Sequence, residues 1–106
     1  MKRLQIIPRE GANLYGALIK RELELRRRAR GTFRRRGGKK KDEAIWAHDR
    51  YLGRVKLARG MGETVLVEVR TKADPEQESM LLGAFLGFLD RHFRHDVTAV
   101  NIQFRD

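Results

Sequence analysis

Ten basic side chains crowd into sixteen consecutive positions: Arg26, Arg27, Arg28, Arg30, Arg34, Arg35, Arg36, Lys39, Lys40 and Lys41, with no acid among them. A guanidinium offers a planar fork of donors that matches the oxygens of a phosphate, and a lysine adds a mobile point charge. The 106-residue chain has a net charge of +10, yet outside this segment it carries fourteen basic and fourteen acidic residues. The cationic character therefore belongs to one block on a neutral background. A localised block points to a polyanionic partner more strongly than a high isoelectric point does. Aromatic residues are sparse in it: Phe33 lies inside, and Trp46 and Tyr51 follow. That favours contact with a nucleic-acid backbone over base reading, with stacking on Trp46 and Tyr51 conditional on their exposure. Lys56 and Arg59 extend the expected phosphate surface. The competing readings are a solvated segment that aids solubility, or contact with an acidic protein or membrane surface.

A second cluster is Trp46, His48, Arg50 and Tyr51. On a strand, Trp46, His48 and Arg50 share a face at period two. Histidine, arginine and tyrosine are the types with which a metal-independent endoribonuclease moves protons and stabilises a phosphorane. The plainer alternative is edge packing by Trp46 and Tyr51 with His48 and Arg50 at the surface. His92 and His95, with Asp90 and Asp96 nearby, have a spacing that places them on adjacent helix surface. His92 nevertheless falls inside an apolar arc, so a packed or helix-capping histidine is expected and no metal site is assigned. Gly60-Met61-Gly62-Glu63 lacks the following helix of a phosphate loop. Ser79, the only serine, sits in a helical pattern. No cofactor is expected.

These residues must be positioned by a small set of elements. Asp74-Pro75-Glu76-Gln77-Glu78 supplies an N-cap, a first-turn proline and first-turn acids, predicting a helix over 75–93. Leu81, Leu82, Phe85, Leu86, Phe88, Leu89 and Phe93 fall on its core arc. Gly83 and Gly87 fall opposite, where each costs up to about 1 kcal/mol relative to alanine. They predict close approach of another helix, either the N-terminal one or that of a second copy. Arg54–Arg59 and Glu63–Thr71 alternate around Gly60-Met61-Gly62 as a β-hairpin. The expected register pairs Arg59 with Glu63 and sets Arg54 opposite Glu68. Strands are expected at 2–7 and 97–104, with a further candidate at 44–51. Asn13 caps a helix running to about Ala29, which Gly31 terminates.

The expected fold class is α+β: a small antiparallel sheet, hairpin 54–71 plus strand 97–104 and the candidate at 44–51, packed on helix 75–93. An N-terminal strand-helix unit (1–30) precedes a basic loop or arm (31–43) that buries too little to fold alone, then the α+β unit (44–106), in one compact domain. The expected function is nucleic-acid binding through phosphates, RNA slightly favoured over DNA. The alternatives are a small toxin-like endoribonuclease using His48, Tyr51 and Arg50, or a homodimeric interaction module built on Gly83 and Gly87. The chain lacks cysteine, and no window approaches the roughly 20 apolar residues of a membrane span, so a cytoplasmic location is expected.

Overall fold

A computed structural model describes residues 1–38 and 40–104. The elements run β1 (Lys2–Pro8), α1 (Leu14–Arg27), β2 (Phe33–Arg36), β3 (Glu43–His48), β4 (Arg54–Arg59), β5 (Val65–Arg70), α2 (Pro75–Phe93) and β6 (Val97–Gln103). The six strands form one sheet in the order β2-β3-β4-β5-β1-β6, antiparallel throughout. This is the expected α+β class. Helices α1 and α2 share one core with a single face of the sheet.

Strand alternation sets that face. Leu4 and Ile6 of β1, Ala44 and Trp46 of β3, Val55 and Leu57 of β4, and Val65, Val67 and Val69 of β5 are buried. Against them α2 buries Leu81, Leu82, Phe85, Phe88, Leu89 and Phe93, the arc its sequence predicts. Its cap is as expected: the Asp74 carboxylate accepts from the Gln77 backbone N–H at 2.9 Å, with Pro75 in the first turn. Helix α1 buries Leu14, Tyr15, Leu18 and the charged Glu22.

Several expectations are corrected. The segment 31–43 is not a free loop, because Phe33–Arg36 adds an edge strand to β3 and Phe33 is buried. Phe33 enters an aromatic cluster, with ring centroids 5.9 Å from Trp46 and 5.8 Å from Phe88. One anchor thus suffices when the neighbouring strand supplies the hydrogen bonds. The helix before it stops earlier than Gly31: the Arg30 N–H donates to Leu25 O at 2.7 Å and the Ala29 N–H to Arg26 O at 3.0 Å. This pair of hydrogen bonds is a Schellman closure, with Ala29 taking the left-handed position at φ +53°.

The hairpin register is shifted by two. Arg59 pairs with Val65, Leu57 with Val67 and Val55 with Val69. Gly60–Thr64 forms a longer connection around a 3-10 turn at Met61–Glu63, closed by Gly60 N–H to Thr64 O at 2.6 Å. A shift of two keeps every side chain on its face, so the valine rows stay buried. Outside, however, Glu68 meets Lys56, and Arg54 meets Arg70. The N-terminal strand-helix unit is not set apart either, since β1 lies between β5 and β6.

A last correction concerns Gly83 and Gly87. A Cβ at Gly83 would meet nothing within 4 Å, and one at Gly87 only the Arg91 side chain at 3.2 Å. The expected packing against α1 within one chain is absent. Gly83→Ala is therefore expected to raise the stability of a monomer by about 1 kcal/mol, read from urea denaturation. A loss of stability that scales with protein concentration would instead place a second copy against this face.

Candidate nucleic-acid interface

The described part of the basic segment runs from the end of α1 through the edge strand β2. Arg27, Arg28 and Arg30 lie at the C-terminal end of α1, where cations suit the helix dipole. On β2, Phe33 faces His48 and Arg35 faces Trp46, on the helix side of the sheet, whereas Arg34 and Arg36 face Ala47 and Ile45 on the open side. Lys40 and Lys41 follow in the connection to β3. Lys39 lies outside the described residues.

Five of the expected phosphate ligands, Arg26, Arg34, Lys40, Lys56 and Arg59, are occupied within the fold. The Arg26 Nε lies 3.1 Å from the buried Glu22 carboxylate. Arg34 donates to the carbonyls of Gly31 and Phe33, both at 2.9 Å, and so ties down the turn before β2. Lys40 binds Glu43 at 3.1 Å; with Lys56 it holds the Glu43 carboxyl below the usual carboxylate range. Arg59 is the clearest reassignment. Its guanidinium reaches Asp42 at 3.2 Å, Asn13 at 3.0 Å and Glu63, and lies over the Tyr15 ring. It fastens the start of α1, the start of β3 and the β4–β5 turn together. These contacts are mostly non-local, beyond the reach of sequence spacing. Arg27, Arg28, Arg30, Arg35, Arg36 and Lys41 form no ion pair among the described residues.

The sheet face opposite the helices continues this surface. Across the strands, Arg36 faces Ile45, Ile45 faces Lys56, Lys56 faces Glu68, Glu68 faces Arg3, and Arg3 faces Gln103. The open face holds Arg3, Arg34, Arg36, Arg54, Lys56 and Arg70 against Glu43 and Glu68. At about 4.8 Å per strand, six strands make a face about 24 Å wide. Sequence reasoning missed Arg3, Arg54 and Arg70. Their signal was the outward phase of the strand alternation, which becomes a surface only once the strand order is known.

Two expected stacking residues change role. Trp46 is completely buried beneath the sheet, so its ring offers no platform for a base. Tyr51 is half-buried and stacked on His48, with centroids 4.8 Å apart and planes 15° from parallel. His48 itself is a structural hinge of the β3–β4 loop. Its Nδ1 accepts the backbone N–H of Arg50 at 3.0 Å and of Tyr51 at 3.3 Å. An imidazole accepting at Nδ1 carries its proton on Nε2 when neutral, leaving no lone pair for a general base. That arrangement weighs against the ribonuclease chemistry of His48, Arg50 and Tyr51.

Burial, more than the neighbouring Arg50, holds the His48 pKa below its ordinary value, with Asp49 opposing. His92 is lowered too, by burial and then by Arg21 and Arg91. A histidine whose folded pKa is depressed binds protons more readily in the unfolded chain. Its stabilisation is complete above the unfolded pKa of about 6.5 and declines as pH falls through and below it. The urea midpoint is expected to drop between pH 7.5 and pH 5, and to drop less in His48→Asn. An equal drop in both proteins would remove His48 from this account.

His92 packs against Phe88, with ring centroids 4.8 Å apart, and His95 lies exposed after α2. Among the described residues no group of three or more His, Cys, Asp or Glu side chains could hold a metal. No helix among them is long and apolar enough to cross a membrane. Comparison with protein-family models, curated proteins and solved structures finds no match for this chain.

Proposed function

We propose that this protein binds nucleic-acid phosphates through the cationic rim at β2 and the adjoining open sheet face, with RNA favoured over DNA. The observation that carries the reading is the placement of Arg27, Arg28, Arg30, Arg35, Arg36 and Lys41. None is spent on an acid among the described residues; Arg35 and Arg36 lie on the edge strand β2, and Arg27, Arg28, Arg30 and Lys41 lie in the segments that lead into and out of it. Ordered strands and a closed helix end hold much of this surface, so binding costs less ordering entropy than a flexible arm would. Burial of Trp46 leaves phosphate contact, rather than stacking on that ring, as the source of affinity. A broad flat face suits an irregular RNA surface better than it suits insertion into a duplex groove.

Fluorescence anisotropy with labelled single-stranded RNA, hairpin RNA and duplex DNA tests the reading. At 50 mM salt, dissociation constants on the order of micromolar or tighter are expected, with RNA bound at least as well as DNA. No binding to any of the three would overturn it.

A further inference from the structure

A cleft of about 730 Å³ opens at the start of β4 and the end of β5, where Arg54, Arg70 and Lys72 meet Leu52, Ala73 and Glu78. We propose that this cleft binds a phosphate monoester, the group present at a phosphorylated nucleic-acid end or on a free mononucleotide. Three observations converge on it.

The first is charge. Arg54 and Arg70 are direct cross-strand partners on the open face. Like charges directly opposite each other repel and destabilise a sheet. Neither arginine, nor Lys72, forms an ion pair among the described residues. The one carboxylate in the cleft, Glu78, is bound by Lys2 at 3.1 Å and by the Met1 amino nitrogen at 3.3 Å. Its charge is thereby matched by cations other than Arg54, Arg70 and Lys72. A dianion between Arg54 and Arg70 relieves the repulsion and takes forked donors from both.

The second is rigidity. The wall carrying Leu52 is pinned at Gly53, whose φ is +127° and whose added Cβ would lie 2.4 Å from Arg70 O and 2.9 Å from a Leu81 methyl. Only glycine lets that loop rest directly on the Arg70 backbone. The Leu52 N–H also donates to Gln77 Oε1 at 3.3 Å, fastening the loop to α2. On the opposite wall the Ala73 N–H donates to Thr71 Oγ1 at 3.0 Å. The cations thus face a preformed space.

The third is shape. The volume lies within the range of small-ligand sites. Leu52, 65% exposed, gives one side an apolar surface for a sugar or base beside the phosphate. The two surfaces differ in what they hold: backbone phosphodiesters at the arginine rim of β2, a terminal phosphate here.

The proposal stands apart from polymer binding in its test. The full chain is titrated with an oligoribonucleotide bearing a 5′-phosphate, the same strand with a 5′-hydroxyl, and adenosine 5′-monophosphate alone. The variants are Arg54→Gln/Arg70→Gln and, as a control at the rim, Arg35→Gln/Arg36→Gln. The phosphorylated strand is expected to bind about tenfold more tightly than its hydroxyl counterpart. That preference is lost in the cleft variant and kept in the rim variant. Binding of the monophosphate without an end preference in the strand assigns the site to a free nucleotide. In that arm too, loss in the cleft variant supports the proposal. The cleft variant is expected to melt at or above the parent temperature, since it removes a repulsion; this separates lost ligand from lost fold. Equal affinity for the two strands together with no monophosphate binding overturns the proposal. So does any preference that survives Arg54→Gln/Arg70→Gln.

Discussion

Trp46→Ala is expected to destabilise the protein by about 3–5 kcal/mol, the scale for deleting a fully buried large aromatic. Trp46 sits at the centre of the layer between sheet and helices, with ring centroids 5.5 Å from Phe88, 5.9 Å from Phe33 and 6.3 Å from Phe85. Its removal opens a cavity touching β2, β3 and α2 at once. Phe33 is the only fully buried side chain of β2, so the edge strand loses its anchor and the rim arginines lose their placement. Urea denaturation measures the first effect. Trp46→Phe isolates the second question, whether this ring contacts a ligand. The indole Nε1 makes no hydrogen bond among the described residues, so phenylalanine forfeits packing alone. Its nucleic-acid affinity is expected to stay within about twofold of the parent. A large affinity loss in a folded Trp46→Phe would return the ring to the binding surface.

Changing Arg27, Arg28, Arg30, Arg35, Arg36 and Lys41 together to glutamine is expected to weaken RNA binding about a thousandfold at low salt. That is the scale on which six phosphate contacts move affinity. The fold is expected to persist, because β2 is held by its backbone pairing with β3 and by Phe33, not by these side chains. The contrast is Arg26→Gln and Arg59→Gln. Both remove cations from the same part of the sequence or surface, but these two are tied to Glu22 and to the Asp42, Glu63 and Asn13 network. They are expected to cost stability while leaving affinity nearly unchanged. Equal effects of all eight cations on affinity would mean that net charge alone, without placement, governs binding.

Much of the scaffold was legible because it is local. The Asp74-Pro75 start and the apolar arc gave α2 its observed limits, and alternation gave β4 and the valine face of β5. The hairpin register was not, since it depends on how many residues the turn consumes. The left-handed Glu63 at φ +63° extends the turn without any sequence signal of glycine at that position. Strand β2 was hidden because Arg34-Arg35-Arg36 carries no apolar alternation. Its strand character comes from β3, which was not known to lie alongside. An arginine-rich edge strand also resists pairing with other sheets, so the triplet has a structural use besides any ligand.

The site was legible in composition and not in geometry. Charge counting found the segment, but it could not separate Arg26, Arg34 and Arg59, spent inside the fold, from Arg35 and Arg36. Spacing offered Glu22–Arg26 and Arg59–Glu63 at i, i+4 and Lys40–Glu43 at i, i+3, but not the reach of Arg59 to Asp42 and Asn13. Arg3, Arg54 and Arg70 join the surface through a strand order that places β1 between β5 and β6. Gly53 carries its meaning only in contact with the Arg70 backbone. For Arg59, the strand order and Gly53 the missing information is a contact between distant parts of the chain.

The most direct test of the central claim is the salt dependence of the parent protein's affinity for single-stranded RNA, from about 50 to 200 mM salt. With six phosphates engaged, log affinity against log salt should fall with a slope near −4, and near −5 for duplex DNA. In the six-residue glutamine variant the slope should shrink toward zero. A parent slope already near zero, or no binding at the lowest salt, would contradict phosphate recognition by this surface.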